Sequence, residues 1–91
     1  MLFILLTLNY TLEECNVFKT KFFTDQLAAE KAADKRFKEC SKTGTETEDI
    51  YVYAVKDLSK FNTSIETEMY GAPSLLIKGG ERIFYETVVA D

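Results

Sequence analysis

A chain of 91 residues is one domain by size, and its 46% apolar and 13% aromatic residues are ample for a packed core, which excludes intrinsic disorder. A net charge of -4 argues against general nucleic-acid binding, which favours basic surfaces. There is no histidine, which excludes histidine-dependent triads and nitrogen-ligated zinc, and two cysteines are too few for a disulfide framework or a four-ligand zinc site.

Residues 2–9 are apolar at both alternating sets of positions, with Leu2, Ile4, Leu6 and Leu8 on one side and Phe3 and Leu5 on the other. A strand buried on both faces reads this way, so the opening segment is predicted to be a central strand. No Lys or Arg precedes its apolar run, Thr7 and Asn9 interrupt it, and it is too short to span a bilayer. The expectation is a cytoplasmic protein with no membrane partner. Val17 to Phe23 alternates, with Phe18, Thr20 and Phe22 opposed to Lys19 and Lys21, and predicts a half-exposed strand hairpinned to the first.

Thr24 offers a capping hydroxyl and Asp25 a first-turn acid, predicting a helix from Asp25 to Ser41 that ends before Gly44. Its apolar stripe is Ala29, Ala33, Phe37 and Cys40, with Ala32 beside it; the small alanines let it lie close on a sheet. Residues 43–49 read as a loop. Asp49 to Lys56 is predicted as a strand, with Ile50, Val52 and Ala54 opposed to Tyr51, Tyr53 and Val55. Thr63-x-x-Glu66 fits a capping box and predicts a short helix from Ser64 to Tyr70, closed by Gly71. Residues 74–78 and 82–89 read as a hairpin turning at Gly79-Gly80. The order ββα-β-(α)-ββ predicts a single α+β domain over residues 1–91. Its sheet is mainly antiparallel, of four to five strands, with the long helix packed on one face.

No phosphate loop, dinucleotide fingerprint or EF-hand loop occurs, so no enzymatic activity, cofactor or metal site is expected. Cys15 and Cys40 would fall at the same end of the domain if their strand and helix run antiparallel; they are either two small core or rim residues, a redox-active or structural disulfide, or a lone reactive cysteine. Lys31, Lys35, Lys38 and Lys42 recur at i, i+4, i+7 and i+11 and form a ridge opposite Ala33, an alternative phosphate-binding surface. Residues 19–42 hold seven basic and four acidic residues, and residues 43–68 hold two and six, so charge is bipolar along the chain. Glu46, Glu48, Asp49, Glu66 and Glu68 form acidic segments that could contact a partner or imitate nucleic-acid phosphates.

One helix covers one sheet face. The other face, assigned here to Phe3, Leu5, Tyr51, Tyr53 and Val55 with Tyr85 or Phe84, needs a cover: residues 57–72, a second copy of the chain, or a partner. Tyrosines suit an interface, because the ring buries area while the hydroxyl stays paired.

The apolar opening strand, the segment Phe22-Phe23-Thr24-Asp25, and the Ala/Lys/Glu-rich stretch 27–42 followed by 49–56 resemble the small accessory proteins of tailed phages, over the first two thirds of the chain. No motif aligns residue by residue, so no functional residues carry over. The resemblance implies a stoichiometric inhibitor of a host protein, such as a restriction or CRISPR defence enzyme. The sequence therefore reads as a non-enzymatic protein–protein interaction module, expected to form a homodimer. Its expected contacts are Phe3, Tyr51, Tyr53, Val55 and Tyr85, or the acidic segments. Nucleic-acid binding through the lysine ridge, or acidic mimicry of nucleic acid, is the alternative.

Overall fold

The apolar opening run becomes an inner strand of the main sheet in the computed structural model, which describes residues 1–10, 15–43, 47–66 and 74–88. The elements are β1 (Leu2–Tyr10), β2 (Cys15–Phe23), α1 (Gln26–Thr43), β3 (Thr47–Val55), a 3-10 turn (Leu58–Lys60), β4 (Asn62–Glu66), β5 (Ser74–Lys78) and β6 (Glu81–Val88). β1 pairs on both sides within an antiparallel sheet of order β2-β1-β3-β6, while β4 and β5 form a separate two-stranded sheet. The fold is thus α+β, with one long helix on a mainly antiparallel sheet. No helix among the described residues is long and apolar enough to cross a membrane.

Register decides which side chains share a face. Directly opposed residues of an antiparallel pair lie on the same face. Phe3 opposes Ala54 and Leu5 opposes Val52, whereas Ile4 opposes Tyr53 and Leu6 opposes Tyr51. Phe3 and Leu5 therefore lie beneath the helix with Ile50 and Val52, packed on Ala29 and Ala33. This corrects the expected grouping of Phe3 and Leu5 with the tyrosines. Both alanines are fully buried, which fits the close approach of α1 to the sheet. Asp25, rather than Thr24, caps the helix: its carboxylate accepts from the Ala28 N–H at 3.3 Å.

The opposite face buries Ile4, Leu6, Leu8, Tyr51 and Val55, with Phe61, Leu75 and Ile77 packed against them. Of the expected cover at residues 57–72, Phe61 supplies part of this packing; the rest comes from β5, outside that segment, while β4 is exposed. The predicted helix at Ser64–Tyr70 does not begin there, because Asn62–Glu66 is a strand; residues 67–70 lie outside the described residues. Thr63 and Ile65 oppose Ile77 and Leu75, so one side of β4–β5 is mostly apolar, and three of its four residues are β-branched. Cross-strand packing outweighs the local capping signal.

The predicted hairpin of residues 74–78 with 82–89 is also corrected. β5 pairs with β4, and β6 pairs with β3. Gly79, with φ of 83°, passes the chain from one sheet to the other. A Cβ at this position would collide with the Lys60 carbonyl, so the crossing requires glycine on two grounds.

Candidate protein-binding surface at the sheet edge

Strand β6 is one edge of the main sheet. On the side away from α1, it sets Thr87 opposite Asp49, Tyr85 opposite Tyr51 and Arg82 opposite Tyr53. A register shift between Val52 and Tyr53 brings Arg82 into this row. The Tyr51 and Tyr85 rings are stacked, with centroids 5.0 Å apart and planes at 17°. Tyr53 extends the row at 6.1 Å from Tyr51. The Arg82 guanidinium sits 5.1 Å from the Tyr85 ring centre, within cation–π range. Tyr85 is 46% exposed, while Tyr51 beneath it is buried.

The hydroxyls above the rings are tied together. Thr87 Oγ1 lies 2.8 Å from Asp49 Oδ1 and 2.7 Å from the Tyr85 hydroxyl. Having one proton, it donates to the carboxylate, and Tyr85 donates to it. The Tyr51 hydroxyl approaches Asp49 Oδ2 at 3.5 Å, a long contact. Burial raises the Asp49 carboxyl above its ordinary value, with the bonds from Thr87 and Tyr51 opposing in part. Burial, reinforced by the Asp49 charge, pushes the Tyr51 phenol well above its ordinary range. Tyr53 is raised by burial, against the pull of Arg82. The arrangement engages an exposed ring at its face, by stacking on the neighbouring Tyr51, and at its hydroxyl, by Thr87.

Other residues singled out in the sequence fall apart in space. Phe3 is under the helix, and Val55 and Tyr51 are core residues. Glu48 is 2% exposed on the helix side, where Arg36 donates from Nε to Oε2 at 2.9 Å and from Nη2 to Oε1 at 2.7 Å. Asp49 is buried on the other side. Glu66 is exposed on β4, and Glu46 and Glu68 lie outside the described residues. The buried pair therefore does not join Glu66 in an exposed carboxylate array. Lys31, Lys35 and Lys38 are exposed on α1, with Lys38 paired to Asp34 at 3.0 Å; the side chains of Lys42, Cys15 and Cys40 lie outside what is described.

Among the described residues, no group of three or more acidic or cysteine side chains could hold a metal ion. Arg82 and Thr87 escaped the sequence reading. Thr87 could have been found by the alternation of residues 85 and 87, but the shift at Ile83 hides Arg82. Compared with known proteins, the chain has no significant match to a family model, a curated protein or a solved structure.

Proposed function

We propose that this chain is a non-enzymatic protein-binding module whose contact surface is the β6 edge, unpaired among the described residues and centred on Tyr85 and Arg82. The observation that carries the reading is the exposed Tyr85 ring, stacked on Tyr51 and contacted by the Arg82 guanidinium, with its hydroxyl engaged. Tyr and Arg are the residue types that dominate interface energetics. A side chain ordered before binding loses less entropy on association. The strand edge beside it carries main-chain groups that a partner strand can pair with. The first partner we assign is a second copy of the chain. The resemblance to phage accessory proteins supports a further, stoichiometric blocking action on a host protein in the cytoplasm.

Nucleic-acid binding through the lysine ridge is less well supported. Lys38 is tied to Asp34, and Arg36 on the same helix is tied to Glu48.

Light scattering tests the reading. The parent should give twice its 10.4 kDa mass, insensitive to salt, and Tyr85→Ser with Arg82→Ser should give a monomer of unchanged fold. A monomeric parent overturns the homodimer. Affinity capture then decides on a foreign partner: a protein held by the parent and lost with the double variant supports the β6 surface. Equal capture by both refutes it.

A further inference from the structure

Helix α1 packs most heavily on β3 and β6 and least on β2. That lean leaves a cleft of about 700 Å³ between the helix and the β1–β2 half of the sheet, within the size range of small-molecule sites. Its lining divides by chemistry. Leu5, Phe23 and Ala32 give it an apolar floor, Thr7 and Asn9 continue the floor with neutral polar groups, and Lys21 and Lys35 bring two cations to the same space. Arg36 also borders it but is committed to Glu48. Glu39 is the one acidic side chain on the lining among the described residues. The cleft is thus locally basic in a chain of net charge -4.

We propose that this cleft binds a small organic anion with a flat apolar body. The body removes the partly buried Phe23 and Ala32 surface from water, over a base closed by the core residue Leu5, and the anionic group stays at the rim with Lys21 and Lys35. An inorganic anion gains the lysines without the floor. A neutral apolar molecule gains the floor without the lysines. Attraction between charges strengthens where apolar walls lower the local dielectric, so the two contributions reinforce each other.

Anilinonaphthalene sulfonate has this chemistry, and N-phenylnaphthylamine is its counterpart without the sulfonate. In a fluorescence titration of the whole protein, the sulfonate should bind saturably with one site per chain, and the neutral dye about tenfold more weakly or less. Lys21→Gln with Lys35→Gln should weaken the sulfonate about tenfold. Ala32→Phe should fill the cleft and abolish binding without changing the circular dichroism. Tyr85→Ser should leave the titration unchanged, which separates this site from the β6 surface.

No saturable binding below about 1 mM overturns the proposal. So does equal affinity for the neutral dye. A titration that neither the lysine pair nor Ala32→Phe alters places the dye elsewhere, for example on Phe22, which is 55% exposed, and also overturns it. Should Ala32→Phe fail to fold, the lysine pair decides.

Discussion

Glu48 and Asp49 are neighbours in sequence and face opposite sides of the sheet, and each is buried for a different reason. Glu48 is held by a bidentate guanidinium. Removing either partner should not be equivalent. Arg36→Met leaves a buried carboxylate short of its cation and should cost about 2–4 kcal/mol. Glu48→Gln removes only the charge opposite a half-exposed guanidinium and should cost about 1–2 kcal/mol. Urea midpoints measure both, and equal losses would show that burial of Glu48 does not set the asymmetry.

Asp49 behaves differently because its folded carboxyl is raised above the ordinary 3.8. A raised acid favours the protonated folded state. Its stabilising contribution is fully present below 3.8 and is lost as pH rises through the higher folded value. Asp49→Asn should match the parent in acid and equal or exceed it at neutral pH. A variant less stable at neutral pH would mean that the hydrogen bonds to Thr87 and Tyr51 outweigh the burial of charge.

At the scale of elements, alternation in the sequence marks β1, the body of β3 and the helix stripe, but not the start of β3 at Thr47, inside the segment 43–49 expected to be a loop. Ala29 and Ala33 are where the 3.6-residue period puts them, fully buried. Alternation does not say which parity of one strand meets which parity of the next. Nothing in the sequence separates Phe3 from Tyr51 on that account; the pairing of Ile4 with Tyr53 does. The edge surface was half legible: Tyr85 was visible as a candidate, while Arg82 depends on a register shift that no residue type announces. The strand at Asn62–Glu66 was misread because a capping box is a local signal, and Ile65 and Thr63 answer to Leu75 and Ile77 across the ladder.

Gly79 is the point where these elements are joined. Gly79→Ala combines a positive φ with a collision at Lys60 and should cost about 1–3 kcal/mol in a thermal melt. Amide exchange should quicken in β4 and β5 more than in β1. Uniform quickening would show instead that the two sheets open as one unit.

For the molecule as a whole, the chain's acidic balance sits beside one place where positive charge gathers, the α1 cleft, and a single arginine, Arg82, on the Tyr85 ring at the β6 edge. They lie on opposite faces of the sheet, so a partner at one leaves the other accessible.

The β4–β5 unit is inserted between β3 and β6, two strands that pair with each other. Its ends meet where Gly79 approaches Lys60. Without it, joining Val55 to Glu81 means closing a loop over residues 56–80. With it formed, most of that loop is already gathered, and the entropy of closure is smaller. The insertion then acts as a clasp that sets the order of assembly, β4 with β5 before β3 with β6. On this account Gly79→Ala should slow refolding in stopped-flow measurements more than it speeds unfolding. The reverse would place formation of the clasp after the rate-limiting step.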